Sequence, residues 1–298
     1  ATSSHRLPMK SILLFGRVGQ VGWELRRTLA PQARVTCVDY PEIDFTRPDS
    51  VRAAIAAAAP DIIINAAAYT AVDKAEAELA LATQINADAP GVMAAEAKKR
   101  GALLVHYSTD YVFDGTKTTP YVETDAPNPL GAYARTKHAA DEAIRTAGCD
   151  HLIFRLCWVY GARGANFMLT MQRLAREREK LRVVADQVGC PTWSRMIAET
   201  TAQALLQVRT AEDARRLSGT YHLCSSGQTS WHGFAKAIID LMPPETRKCR
   251  EVEAITTAEY PTPTKRPAYS VMSAAKLENA FGLRLPDWHD SLRQVVEA

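Results

Sequence analysis

From Ser11 to Leu156 the chain alternates five short apolar runs with longer stretches of helical periodicity, and that alternation restricts it to very few folds. The runs at 11–15, 34–38, 61–65, 103–108 and 151–156 have the length of strands and too little polar alternation for a sheet with one wet face. They predict parallel strands covered on both sides by crossover helices, a doubly wound α/β sheet of the Rossmann type. The intervening helices fall at 18–30, 49–59, 73–99 and 133–147. Asp49 or Ser50 caps the second. Asp73 and Glu76 open the third as a capping-box variant that breaks near Ala89-Pro90, and Gly148 ends the fourth. Ligands of such sheets collect beyond the carboxyl ends of the strands, so the chemistry is expected just after each run.

Beyond Tyr160 the pattern loosens. Helices are expected at 167–178, 196–209 and 231–242 with short strands between, and prolines crowd 261–267. This divides the chain into a dinucleotide-binding domain over 9–165, joined by part of 183–215, and a smaller, mostly helical substrate lobe with return segments over 166–298. Thirty-six basic against thirty-three acidic residues leave +3 on 298 residues. That is not the concentrated basic surplus of a nucleic-acid binder, though a local basic pocket for an anionic small molecule is compatible with it. The longest apolar-looking stretch, 53–72, is interrupted by Pro60, Asp61 and Asn65, so no membrane span is expected. Six cysteines without metal or disulfide spacing are expected as reduced thiols of a cytoplasmic protein. Residues 1–8 are polar, lack the apolar core of a secretory leader, and read as a frayed native end or a non-native remnant.

Gly16-Arg-Val-Gly19-Gln-Val-Gly22 follows the first run and enters the first helix. The first glycine permits a sharp turn, the second lets backbone approach a phosphate, and the third lets helix and strand pack closely. The helix start adds unpaired N–H groups and partial positive charge, which suits the pyrophosphate of a dinucleotide. Three glycines alone are a weak sign, and their place after the first strand is what strengthens it. Asp39, at the end of the second strand, either accepts from an adenosine ribose and repels a 2′-phosphate, or turns the chain before Pro41. Arg17 inside the loop offers a 2′-phosphate a cation, so NADH and NADPH both remain open.

Tyr133 and Lys137 stand four residues apart on a predicted helix and so project from one face. A free phenol with a pKa of about 10 exchanges protons poorly at neutral pH, and a nearby ammonium lowers that value. Lys137 is placed to do this and to reach a nicotinamide ribose. An amphipathic helix often carries such a pair by chance. Here Ser108-Thr-Asp-Tyr-Val-Phe-Asp-Gly115 at the end of the fourth strand adds a hydroxyl, Thr109 or Ser108, that can donate to a substrate carbonyl while the phenol delivers the proton.

Together these motifs resemble the extended short-chain dehydrogenases, and more narrowly the branch that reduces nucleotide-linked 4-keto sugars. The likeness is carried by residues 14–25, 65–76, 107–115, 155–160 and 265–270, which spread from near the start of the chain nearly to its end. It implies reduction of the 4-keto group of dTDP-4-dehydro-L-rhamnose to dTDP-L-rhamnose by NADH or NADPH. By the same resemblance Gly16, Gly19, Gln20, Val21 and Gly22 meet the pyrophosphate, and Asp39 the ribose. Asp44 and Phe45 lie near the adenine, and Ala68, Tyr69 and Thr70 line the cofactor pocket. Thr109 and Asp110 contact the sugar, Tyr133 donates the proton with Thr109 assisting, and Lys137 holds cofactor and tyrosine. Trp158 packs against the substrate, unless it is an ordinary core aromatic.

Some members of that branch pair into dimers through glutamates that gather a magnesium ion. Glu24 and Glu297 match two of those positions, but the third is Arg195. A guanidinium there replaces the cation by pairing with both carboxylates, so no metal site is expected, and a homodimer stays open. Two other functions fit the motifs in part. An epimerase or dehydratase of the same fold shares loop and Tyr/Lys pair but keeps its cofactor through the cycle, and a non-catalytic regulatory subunit usually lacks that pair.

Overall fold

The computed structural model describes residues 10–297, so the reading of residues 1–8 lies outside the described residues. Five strands, β1 (Ser11–Phe15), β2 (Arg34–Val38), β3 (Ile62–Asn65), β4 (Leu103–Thr109) and β5 (His151–Leu156), and a sixth, Gly219–His222, form one parallel sheet. Their spatial order is Gly219–His222, β5, β4, β3, β1, β2. The crossovers run through α1 (Gln20–Leu29), α2 (Pro48–Ala58), α3 (Leu79–Thr83), α4 (Ala89–Arg100) and α5 (Ala132–Ala147). This is the doubly wound fold expected from the alternation of runs.

Successive strand residues point to opposite faces, and each face has its own core. Ile12 and Leu14 of β1 pack with Leu25 and Leu29 of α1 and with Ile197 and Leu205 of the helix Ser194–Gln207. Leu13 and Phe15 pack on the other side with Val51 and Ile55 of α2 and with Met93 and Ala97 of α4. The sixth strand comes from beyond the region where the strand pattern is strong. Its supply depends on Ser194–Gln207, which packs against α1 and returns the chain to the sheet edge.

Two local expectations change. Neither Asp49 nor Ser50 caps α2. The helix starts at Pro48, whose fixed φ and missing N–H suit that position, and Ser50 Oγ instead accepts from the Asp44 N–H at 3.0 Å. Asp73 caps nothing either, because its carboxylate takes the Arg266 guanidinium at 2.9 Å. The stretch 73–99 becomes a 3-10 turn, α3, a π-turn at Gln84–Asp88 and α4. Pro90 lies inside a continuous helical run, directly after the π-turn, which takes up the break that its missing N–H imposes.

The rest of the chain builds a lobe around Tyr160, Met168, Phe234, Ile238, Trp288 and Leu292. Beneath the strand ends Phe113, Cys157, Trp158, Cys190 and Cys224 form a further cluster, and all six cysteines are free thiols. Among the described residues no helix is long and apolar enough to cross a membrane.

Among the described residues one ion pair lies wholly inside. Arg155 Nε from β5 stands 3.4 Å from Asp141 Oδ2 of α5, and Ser108 Oγ donates to the same oxygen at 3.0 Å. Both charges are desolvated, which pushes the Asp141 carboxyl up and the Arg155 guanidinium down from their ordinary values. Arg155→Met leaves a buried carboxylate without its cation and is expected to cost about 3–5 kcal/mol in urea unfolding. The double variant Arg155→Met/Asp141→Leu should recover most of that loss.

Candidate active site

The glycine loop is shaped by two approaches that no side chain would allow. A Cβ on Gly22 would stand 1.9 Å from the Gly16 carbonyl oxygen, and one on Gly16, whose φ is +86°, would stand 2.5 Å from the Ala67 nitrogen. The first contact seats α1 on the turn. The second lays the segment after β3 across it. Gly19 precedes α1 without a side-chain cap, so the first N–H groups of α1 are left for a ligand. This cradle fits a dinucleotide pyrophosphate, with Gln20 and Val21 opening the helix that would hold it. Gln20 is further placed by Asn166 Nδ2, which donates to its side-chain oxygen at 3.0 Å.

Asp39 closes the loop from β2. Its Oδ2 accepts from the Val18 N–H at 3.0 Å and its Oδ1 from the Tyr40 N–H at 2.8 Å, so it braces the loop as well as ending the strand. The Arg17 guanidinium reaches the Cys37 carbonyl at 3.2 Å and pairs with Glu42. Asp44 Oδ1 is occupied by the Thr46 N–H at 2.9 Å. The Phe45 ring is buried against Phe15 at a centroid distance of 6.0 Å, which makes that side chain part of the core.

After β3, Ala68, Tyr69 and Thr70 run toward α5. The Asn86 side chain clamps the Tyr69 backbone, accepting from its N–H at 2.8 Å and donating to its carbonyl at 3.0 Å. It also donates to Thr136 Oγ1 on α5 at 3.1 Å. Tyr69 and Tyr133 flank the same small cluster of Ala75, Ala82 and Ala132, so the loop and the helix carrying the Tyr/Lys pair are positioned together.

At the end of β4 the two candidate hydroxyls separate. Ser108 turns under α5 to Asp141, whereas the Thr109 hydroxyl lies beside the Tyr133 phenol. Thr109 also accepts from the Tyr111 N–H at 3.2 Å and donates to Asp110 Oδ1 at 3.1 Å. Burial pushes Asp110 up to about 6 against the donors Ser270, Cys157 and Thr109. The Cys157 thiol stands 3.2 Å from Asp110 Oδ2.

The expected lowering of the Tyr133 phenol by Lys137 is not what the resting structure holds. Burial pushes Tyr133 up to about 12, with Thr109 pulling the other way. Lys137, 2 % exposed, points beneath the helix, donating to the Tyr107 carbonyl at 2.6 Å and standing 3.2 Å from His106 Nε2. The pair on one helix face thus parts, Lys137 entering the core and Tyr133 staying half-buried beside Ala132.

Trp158 adopts φ +43°, a left-handed conformation rare for an aromatic residue, at the end of β5. Its ring lies flat on Trp231 at 3.5 Å and closes over Gly189, where a Cβ would come within 2.5 Å of the indole. Sequence reasoning passed over Asn86, His106 and Trp231. The one available signal for His106 was a histidine inside an otherwise apolar run. Arg195 stands 3.5 Å from Glu24, but among the described residues it makes no pair with Glu297, which lies exposed at the end of the last helix.

The family model described as "RmlD substrate binding domain" matches residues 9–298. The chain is 48% identical to a dTDP-4-dehydrorhamnose reductase of Burkholderia thailandensis over 93% of this chain and 95% of that one. It is 43% identical to the enzyme of the same name from Escherichia coli K12, over 96% and 97%. A crystal structure of dTDP-4-dehydrorhamnose reductase from Bacillus anthracis in complex with NADP superposes with a TM-score of 0.87 at 33% identity, covering 97% of this chain and 99% of that one. A glycine cradle, a Thr109–Tyr133 hydroxyl pair at the strand ends and relatives matched over nearly their whole length agree: the chain belongs to the dTDP-4-dehydrorhamnose reductase family.

Proposed function

We propose that this chain reduces the 4-keto group of dTDP-4-dehydro-L-rhamnose to dTDP-L-rhamnose, taking hydride from NADH or NADPH and a proton from Tyr133. The observation that carries the reading is the placing of the Thr109 hydroxyl beside the Tyr133 phenol, close enough to pull its pKa down, at the end of β4, in a fold that also carries the glycine cradle. Reduced nicotinamide supplies the hydride when bound. Thr109 donates to the ketone oxygen, and the Tyr133 phenol gives that oxygen its proton as negative charge develops. A phenol held near 12 stays protonated until the alkoxide forms, which suits an acid in the reducing direction. Asp110 and Trp158 are assigned to the nucleotide sugar, together with the cations Lys265 and Arg266, which line a separate cavity of about 470 Å³ that also includes Asp186. The six unpaired thiols support a cytoplasmic setting.

Incubation with a panel of nucleotide 4-keto sugars and each cofactor tests the reaction. Loss of reduced nicotinamide absorbance in step with product supports a reductase, whereas product without net oxidation points to an epimerase or dehydratase. Tyr133→Phe is expected to lower kcat by at least about a hundredfold with substrate binding retained, the scale of a lost general acid.

Cofactor choice rests on Asp39 and Arg17. Asp39→Asn keeps an acceptor for the Val18 N–H but removes the charge, so kcat/KM with NADPH should rise relative to NADH by several-fold. An equal loss with both cofactors would mean that Asp39 acts only through the loop.

For assembly, we propose a homodimer through the face carrying Glu24 and Arg195, with the guanidinium in place of a divalent ion. Magnesium or a chelator should then leave both activity and Tm unchanged. A Tm that falls in chelator and returns with magnesium would restore a metal-bridged interface.

A further inference from the structure

Three thiols from distant parts of the chain meet at the carboxyl end of the sheet, and the reaction above uses none of them. The sixth strand runs beside β5 with His222 opposite Arg155, and the Leu223 N–H donates to the Arg155 carbonyl at 2.9 Å. Continued by two residues, that register would set Cys224 opposite Cys157. The ladder stops short of it. The Ser225 N–H turns to Thr192 Oγ1 at 3.2 Å, and the same hydroxyl donates to the Cys190 carbonyl at 2.9 Å. On its other side this segment pairs with the chain that follows β5, Val159 opposite Thr192, and the Cys190 N–H donates to Cys157 Sγ at 3.1 Å. Cys190 is therefore wedged between Cys157 and Cys224, in one buried cluster with Phe113 and Trp158.

We infer that Cys190 and Cys224 form a redox-active dithiol, which a small hydroperoxide oxidises to a disulfide. The surroundings select this pair over either pair with Cys157. Cys157 Sγ is already engaged by Asp110 Oδ2 at 3.2 Å and by the Cys190 amide, and its backbone directly follows β5. Cys224 Sγ makes one longer contact, 3.4 Å from the Met272 carbonyl, and Cys224 borders a cavity of about 540 Å³ shared with Ser226, Gln228 and Arg284. That cavity gives a molecule the size of hydrogen peroxide a way in. It also gives the Cys224 segment room to move as two sulfurs close from contact to a bond of about 2.05 Å.

The three thiols titrate together. The Cys157 and Cys224 thiols on either side draw Cys190 well below the ordinary thiol value, against its burial. Burial and Cys190 push Cys157 up, and Cys190 and burial push Cys224 up. Cys190 is thus the nucleophile of the cluster. Its thiolate sulfur attacks the terminal oxygen of the hydroperoxide, the O–O bond breaks, and the departing oxygen takes up a proton to leave as an alcohol, or as water from hydrogen peroxide. Cys190 is then a sulfenic acid, oxidised by two electrons. The Cys224 sulfur attacks it, the S–O bond breaks as the S–S bond forms, and the hydroxyl leaves with the Cys224 proton as water. Gly189, next to Cys190, lies under the Trp158 indole with no room for even a Cβ, so closing the bond presses that backbone against the Trp158–Trp231 stack.

The test needs neither cofactor nor sugar, so it stands apart from the proposed reaction. Folded protein is treated with stoichiometric hydrogen peroxide, free thiols are capped with N-ethylmaleimide, and the peptides are mapped before and after dithiothreitol. The expected result is a Cys190–Cys224 linkage that dithiothreitol reverses, with the thiols countable in denaturant falling from six to four. The near-UV circular dichroism of the stacked indoles should change with the linkage and return on reduction. In Cys190→Ser the linkage should be lost, with Cys157 and Cys224 left reduced. Oxidation confined to the partly exposed Cys37, or a linkage through Cys157, overturns the inference. A linked protein with an unaltered near-UV spectrum overturns the coupling to Trp158. Should Cys190→Ser not fold, the peptide map of the unaltered protein decides by itself.

Discussion

Everything at the carboxyl edge of the sheet depends on one backbone contact, the seating of Gly22 against the Gly16 carbonyl. With 1.9 Å available to a Cβ there, any side chain would lift α1 from the turn. Lifting α1 would remove Leu25 and Leu29 from the face they share with Ile197 and Leu205, and so loosen the helix that brings the sixth strand home. The same turn touches Ala67, two residues beyond Asn65. The phosphate cradle, the loop carrying Tyr69 and the polar chain to Lys137 are therefore anchored at a single turn.

The second constraint is electrostatic. The sheet is covered on both sides, so polar groups inside it must be satisfied by one another. Asp141 collects Arg155 and Ser108, and His106 links Asn65 to Lys137. These bonds spend Ser108 and Lys137 in the interior and leave Thr109, Asp110 and Tyr133 together at the end of β4. Burial raises Asp110 to about 6 and Tyr133 to about 12, so at neutral pH the phenol keeps its proton for a ketone while Asp110 is mostly ionised. That is an arrangement for delivering a proton.

Much of this was legible before any coordinates. The apolar runs reported the sheet because strands buried on both faces leave little polar alternation, and Gly148 reported the end of α5 through its left-handed φ of +64°. The capping reading of Asp73 failed for a long-range reason, since its carboxylate is claimed by Arg266, almost two hundred positions away. Arg195 met Glu24 but not Glu297. Trp158 packs on Trp231 from a separate segment, a partner that no spacing reveals.

The sequence by itself determined the alternating architecture, the glycine turn and the presence of a phenol, an amine and two adjacent hydroxyls near strand ends, because these follow from local periodicity and residue type. Only the tertiary structure decided which hydroxyl meets the phenol and where the lysine points. Those choices are made by the burial of neighbouring strands and by hydrogen-bond partners such as Asn65 and Asp141, brought from distant parts of the chain. Side-chain protonation inside a protein is set by what surrounds the group in space, and position along the chain carries little of that information.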